Sequence, residues 1–254
     1  MGTSQGKFVW YELATSDVPA AIAFYEDVIG WGTEDFDGAG MRYVRWTADG
    51  TAVGGAMPLS EESRRNGAPP HWMAYVLADD VDALTEKARS LGGNACMTPT
   101  DIPSVGRFSI ISDPGGAVIA MLEPTGPDVP ELTEVPDRHF VWNELMAADQ
   151  EVAFRFYSQL FGWQKTEAVR MSTGTYQMYG RKGRTLGGMM TRPSDYPAPP
   201  HWLHYVMVAD LDDAVARAKK GGGRVLHGPT EVPGGSRIAQ CVDPQGAIFA
   251  LNGV

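Results

Sequence analysis

The sequence predicts an α+β fold in two tandem domains, each running through the order β-α-β-β-β twice, and three observations support it. First, the chain writes one stretch twice: Pro69-Pro70-His71-Trp72-Met73-Ala74-Tyr75-Val76 returns as Pro199-Pro200-His201-Trp202-Leu203-His204-Tyr205-Val206. Second, the register holds to the end. Asp113-Pro114 answers Asp243-Pro244 at the same displacement of 130 residues, and Phe8-Val9-Trp10 answers Phe140-Val141-Trp142 at 132. Third, segments with two-residue alternation interleave with segments at helical spacing inside each copy. A displacement this long lies far above the roughly 20–50 residues of a solenoid unit. The copies are therefore whole domains, residues 1–123 and 139–254, with a linker at 124–138 rich in proline and acidic side chains. Each is long enough to bury its own core.

Within the first copy, residues 8–14 alternate as a strand does, with Phe8, Trp10 and Glu12 on one face and Val9, Tyr11 and Leu13 on the other. Thr15-Ser16-Asp17-Val18-Pro19 is a helix start, with an oxygen side chain as cap and proline in the first turn. Ile22, Phe24, Tyr25, Val28 and Ile29 follow at helical spacing, and Gly30 ends the helix. Tyr11, Tyr25 and Tyr157 are expected in the core on the same periodicity. Residues 41–47 and 52–57 form a hairpin turned at Ala48-Asp49-Gly50-Thr51. Gly54-Gly55 in its second strand marks a close backbone approach or a bulge. With Gly187-Gly188 it lacks the setting of a phosphate cradle, so both pairs are expected as packing points between sheets or modules.

Residues 60–70 are polar and proline-ended, a loop by composition. A strand over 72–78 and a helix over 81–91 follow, then strands near 94–97, 107–112 and 117–122. The last two are joined by Asp113-Pro114-Gly115-Gly116, a type I turn sequence. The second copy repeats the programme, with helices near 148–161 and 211–220.

A chain that is 43% hydrophobic and 20% charged has the composition of an ordinary globular protein. Its formal charge of −10 argues against nucleic acid, whose phosphates need a basic face. No apolar run approaches the roughly 20 residues of a membrane span. The first residues lack the apolar core of a signal peptide, so a cytoplasmic location is expected. Cys96 and Cys241 have no cysteine counterparts in the repeat, and both are expected as small buried residues. The expected partner is a small molecule, in a protein that is a monomeric pseudo-dimer or a homodimer.

Several motifs carry a resemblance. They are FYxxxxGW (Phe24 to Trp31, Phe156 to Trp163), WxEL in the first strand, VGGAM and LGGMM, PPHW, and the ends DPGGAVIAML and DPQGAIFAL. With the element order, these resemble the vicinal oxygen chelate superfamily of glyoxalase I, extradiol dioxygenases and bleomycin-resistance proteins. The finer match is to its two-domain subgroup of culture-filtrate antigen proteins. The resemblance implies four βαβββ modules with curved sheets around a cavity. In metal-dependent members it also implies ligands on the first strand, on the strand after the mid-domain loop and on the last strand. Carried over, those positions are Trp10, Met73 and Ala120 in one half, and Trp142, Leu203 and Ala250 in the other. None offers the carboxylate or imidazole that a divalent ion wants. No metal ligand and no cofactor are therefore expected.

What remains is an apolar wall in each half: Trp10, Met73, Ala120, Tyr75 and Leu77 in one, Trp142, Leu203, Ala250, Tyr205 and Met207 in the other. Such walls hold organic ligands, or simply fill a core. Glu12 and Glu144 share a strand face with the tryptophans and could move a proton. Alternatively they form buried ion pairs with the repeated Arg107 and Arg237, which could also orient a ligand. His71 and His201 are candidate general bases, or structural hydrogen-bonders at a strand start. The leading expectation is metal-independent binding, for sequestration or protection, of a small apolar or aromatic metabolite. The rivals are a metal-free isomerase or lyase using a Glu/His acid–base pair, and a metal-dependent glyoxalase- or dioxygenase-type enzyme with displaced ligands.

Overall fold

The computed structural model of the chain describes residues 4–36, 43–126, 135–171, 174–194, 196 and 198–254. The first half supplies β1 (Phe8–Thr15), α1 (Val18–Ile29), β2 (Gly32–Asp35), β3 (Val44–Ala48), β4 (Thr51–Pro58), α2 (Glu61–Arg65), β5 (His71–Leu77), α3 (Val81–Ser90), β6 (Asn94–Ile102), β7 (Gly106–Ser112) and β8 (Val118–Pro124). Its strands form one mixed sheet in the order β2-β3-β4-β1-β5-β8-β7-β6. The second half supplies β9 (Phe140–Ala147), α4 (Gln150–Phe161), β10 (Gln164–Met171), β11 (Gly174–Arg181), β12 (Arg184–Thr191), β13 (His201–Met207), α5 (Leu211–Lys220), β14 (Arg224–Glu231), β15 (Arg237–Val242) and β16 (Ile248–Gly253). Its sheet repeats the order as β10-β11-β12-β9-β13-β16-β15-β14. Each half is thus two βαβββ modules, as expected, and among the described residues no helix is long and apolar enough to cross a membrane.

Local chemistry explains the helix limits. Asp17 caps α1 by accepting from the Ala20 amide at 3.0 Å, and Gly30 closes it in the left-handed region at φ 83°. Asp149 and Gly162 do the same for α4. Tyr11, Leu13 and Thr15 of β1 are buried while Trp10, Glu12 and Ala14 are half-buried, so the alternation separates a core face from an open one. Tyr25 and Tyr157 are fully buried, as expected.

Some elements differ from expectation. β2 has no alternation of its own and is imposed by antiparallel pairing with β3, Thr33 opposite Trp46. The polar segment 60–70 contains α2, capped by Ser60 and with none of its residues buried. Amphipathic spacing therefore could not reveal it. Cys241 is buried, and burial pushes its thiol up to about 11. Cys96 is exposed, a correction: it lies in an irregularity of the β6–β7 pairing between Ala95 and Met97, on a strand at the sheet edge. Most of the predicted linker, residues 127–134, lies outside the described residues.

Packing divides the chain differently from the sheets. One unit gathers Met1–Val9, Ala74–Glu131 and Trp142–Trp202; the other gathers Trp10–Met73, Leu132–Val141 and Leu203–Val254. Each therefore takes one module from either half. In the first unit α3 meets α4, and Trp163 donates its indole N–H to the Gly6 carbonyl at 2.8 Å. In the second α1 meets α5, and Trp31 donates to the Arg138 carbonyl at 2.7 Å. The repeated motifs meet inside these units. Trp72 of PPHW donates to the Tyr25 hydroxyl at 2.9 Å, and that hydroxyl donates to Asp243 of the DPQG turn at 3.0 Å. Trp202 donates to Tyr157 at 3.2 Å, and the Asp113 charge, after burial, raises the Tyr157 phenol. Asp113 and Asp243 also accept amides of their own turns, Ala117 and Ala247 at 3.0 and 2.8 Å.

Two expectations follow from this buried network. Tyr25→Phe leaves the Asp243 carboxylate short of a donor and should lower the unfolding free energy by about 1–3 kcal/mol in urea titrations. Burial raises the Asp113 carboxyl above its ordinary 3.8. Because the folded value is raised, its favourable contribution is complete below that ordinary value and is lost as pH rises through the folded value. The stability of wild type relative to Asp113→Asn should therefore fall as pH is raised from about 4 towards neutrality. A difference that stayed flat or rose would contradict it.

Candidate functional site

The open face of β1 carries Trp10 and Glu12, and Tyr43, just before β3, joins them. The Trp10 indole N–H donates to the Tyr43 hydroxyl at 2.7 Å, and that hydroxyl is hydrogen-bonded to Glu12. Burial, and then the Glu12 charge, raise the Tyr43 phenol, so it stays protonated and donates. The second half builds the same relay on β9. Trp142 donates to the Tyr176 hydroxyl at 2.8 Å, and Tyr176 donates to Glu144 Oε2 at 2.9 Å. Indole, phenol and carboxylate thus form a chain ending on an ionisable acceptor. Glu144 is only 9% exposed.

The glycine pairs make room for these relays. Gly55 is opposite Glu12 in the parallel β1–β4 pairing, and Gly188 is opposite Glu144 between β9 and β12. A β carbon on Gly55 would overlap the Tyr43 ring, and one on Gly188 the Tyr176 ring. Gly54 and Gly187 face the backbone carbonyls of Tyr11 and Asn143, the close approach that the sequence suggested. The expectation of packing points between sheets or modules is corrected here: the second glycine of each pair seats a tyrosine on its own sheet. Pattern reading missed Tyr43 and Tyr176. A signal was present, since both are 133 residues apart, as are the two glycine pairs.

His71 and His201 each place Nδ1 2.8 Å from a proline carbonyl, Pro69 and Pro199. A carbonyl only accepts, so Nδ1 carries the hydrogen in both. Burial, and more weakly the Arg192 charge, lower the His201 value and favour the neutral ring. The Tyr196 ring stacks on His201 at 5.8 Å and 18°. Burial and then the Glu144 charge raise the Tyr196 phenol.

Of the remaining expected residues, Tyr75 is opposite Ala120 with its ring 6.3 Å from Phe108. Tyr205 is opposite Ala250 and accepts from Gln240 at 2.9 Å. Met73 is half-buried, whereas Leu203 is 2% exposed. Arg107 and Arg237 do not pair with Glu12 and Glu144, a correction. Arg107 is taken by Asp82 and Asp101 at 2.6 and 2.7 Å, and Arg237 by Asp212 at 2.8 Å. Asp82 and Asp212 belong to the first turns of α3 and α5, which bring them to these arginines. The six positions carried over from metal-dependent proteins hold indole, thioether, methyl and isobutyl groups, a donor set that does not fit a divalent ion. Among the described residues no group of three or more His, Cys, Asp or Glu could hold one.

The sequence model described as the Glyoxalase/Bleomycin resistance protein/Dioxygenase superfamily matches residues 7–121 and again 138–251. The chain is 33% identical over 249 residues to a Mycobacterium bovis protein named "Putative glyoxylase CFP32", covering 97% of this chain and 94% of that one. It is 30% identical over 257 residues to the anthracycline biosynthesis protein DauV of Streptomyces sp. strain C5, covering 97% and 92%. Among solved structures it is similar to the 2,3-dioxygenase LapB of Pseudomonas sp. KL28, with TM-score 0.69 and 11% identity over 100% of this chain and 94% of that one. It is also similar to the Mn(II)-bound glyoxalase of Novosphingobium aromaticivorans, with TM-score 0.62 and 17% identity over 98% and 82%. At these identities the structural likeness speaks for the fold alone.

The seat beneath the tyrosine is testable. Gly188→Ala should destabilise by about 1–3 kcal/mol through the forced overlap. Combined with Tyr176→Ala it should cost less than the two single changes added together. Urea denaturation of the four proteins measures this, and strictly additive costs would show that the ring does not depend on the glycine.

Proposed function

Because the chain belongs to the glyoxalase/bleomycin resistance protein/dioxygenase superfamily, we propose that it binds a small, largely apolar or aromatic metabolite without a metal ion, sequestering or protecting it. One observation carries this reading. Where the superfamily's metal-dependent members are expected to place their first ligand, both halves hold a tryptophan whose N–H is committed to a tyrosine. The position has become a ring surface backed by a hydrogen-bonded carboxylate. Apolar and aromatic walls with a few fixed polar groups are the usual lining of organic-ligand sites. The relative named for anthracycline biosynthesis is in keeping with an aromatic ligand.

A second reading is favoured by the burial of Glu144 and its bond from Tyr176. A carboxylate held by a phenol can accept a proton and return it, the minimum equipment of a metal-free isomerase or lyase. The readings separate on Glu144→Gln and Glu12→Gln, which keep shape but remove the base. Binding should survive with at most modest loss, whereas proton transfer should collapse.

A native mass spectrum of the untagged protein, compared with its denatured mass, is the direct test. The expected outcome is an excess mass of one organic compound that leaves on denaturation and is recovered chemically unchanged after incubation with the protein. One divalent ion per chain would overturn the metal-free reading. A ligand returned as an isomer or a cleavage product would favour the enzyme.

A further inference from the structure

The chain contains two Asn-Gly pairs, and the fold holds them very differently. Asn66-Gly67 follows α2 directly, in the segment that leads into Pro69-Pro70-His71-Trp72. Both residues are exposed, and so are Arg64 and Arg65 before them. Asn252-Gly253 lies in β16, with β13 on one side and β15 on the other. Asn252 stands opposite Met207 and Ile238, and its side-chain amide donates to Ser236 Oγ at 3.4 Å. A β carbon on Gly253 would meet the Val208 carbonyl at 2.7 Å.

An asparagine before glycine carries its own reaction partner. The backbone nitrogen of the next residue can attack the side-chain amide carbon, and glycine, with no β carbon, leaves that nitrogen open to do so. At the end of α2 hydrogen bonds oppose the attack. The Gly67 N–H donates to the Arg64 carbonyl at 3.0 Å, and the Asn66 N–H to that of Glu62 at 2.9 Å. These bonds are weakly defended. α2 is a helix of 5 residues, none of them buried, and Ser60 caps it by accepting from the Ser63 amide at 3.0 Å. A single exposed turn without core contacts opens at low cost. The charges of Arg64 and Arg65, next in the chain, favour loss of the Gly67 amide proton.

We propose that Asn66 is a site of spontaneous covalent modification, converted through a cyclic imide to isoaspartate and aspartate, while Asn252 keeps its amide. The bond from Gly67 N to Asn66 Cγ forms as that nitrogen gives its proton to solvent. The Cγ–Nδ2 bond breaks, and Nδ2 takes up a proton and leaves as ammonia. Water then opens the imide at either carbonyl, and nothing is oxidised or reduced. Opening at the original backbone carbonyl routes the chain through the side-chain carbons, so the backbone gains a methylene. A chain lengthened in this way cannot keep the bonds from both amides to Glu62 and Arg64. α2 then loses its last turn, and a new carboxylate stands in the segment before β5. The second half has no Asn-Gly before β13, which confines the change to the first.

Peptide mapping of the full chain by mass spectrometry, sampled during incubation in mildly alkaline buffer, tests this. The peptide holding Asn66 should gain the mass difference between an amide and an acid, with isoaspartate the larger product. The peptide holding Asn252 should stay unchanged. Ser60→Ala removes the cap of α2 and should speed the reaction about fivefold. Asn66→Gln, whose longer side chain would have to close a larger ring, should leave its peptide unconverted. An Asn66 still intact when a synthetic peptide of residues 60–70 has fully converted would overturn the proposal. Equal conversion at Asn66 and Asn252 would overturn the selection by the fold. An unchanged rate in Ser60→Ala would overturn the opening of α2 as the step that admits the attack.

Discussion

The constraint on which the structure depends is that a polar group removed from water must find a partner. In one unit Tyr25 meets it by accepting from Trp72 and donating to Asp243. Three motifs far apart in the chain, and from both halves, are thereby tied to one hydroxyl. Trp31 and Trp163 meet the same demand with carbonyls of the segments entering β9 and β1. A tryptophan or tyrosine brings large apolar area to a core at the cost of one hydrogen bond that must be satisfied. The motifs recur together because each supplies a partner that the others require.

The open faces obey the same rule with different consequences. β1 buries Tyr11 and Leu13 on one side and presents Trp10 and Glu12 on the other, so the core fixes where the site residues stand. Trp10 and Trp142 again donate to a tyrosine hydroxyl, but here the chain ends on a glutamate, half-buried Glu12 or buried Glu144, and not on an aspartate in a turn. One strand thus carries core residues on its inner face and a hydrogen-bonded relay on its outer face.

Much of this was legible in the residues. Asp17 and Gly30 announced the ends of α1 through capping chemistry, and the duplicated blocks placed the two helices of the second half near 148–161 and 211–220. The strand β2 was not legible, because Gly32-Thr33-Glu34-Asp35 adopts its form from the partner strand and not from its own side chains. Tyr43 and Tyr176 were hidden for a related reason. Their role is set by a glycine across the sheet, a relation that no periodicity within one strand contains. An ion pair of Arg107 with Glu12 was one expectation, but α3 brings Asp82 to Arg107 at 2.6 Å from 25 residues away in the chain. Cys96 is exposed on the edge strand β6, none of whose residues is buried, a setting that its own residue type does not announce.

The crossing of modules between halves also bears on how such a chain can arise and change. Each packing unit draws one module from the first half and one from the second. A half-length ancestor with this arrangement would have had no complete core alone and would have completed it with a second copy of itself. Joining two copies end to end makes that encounter intramolecular, so it no longer depends on concentration. It also frees the copies to differ, and the segment carrying Arg192 and Tyr196 in one half against α2 in the other records such a divergence. Lineages of this kind can specialise one site while the other keeps the shared framework in place.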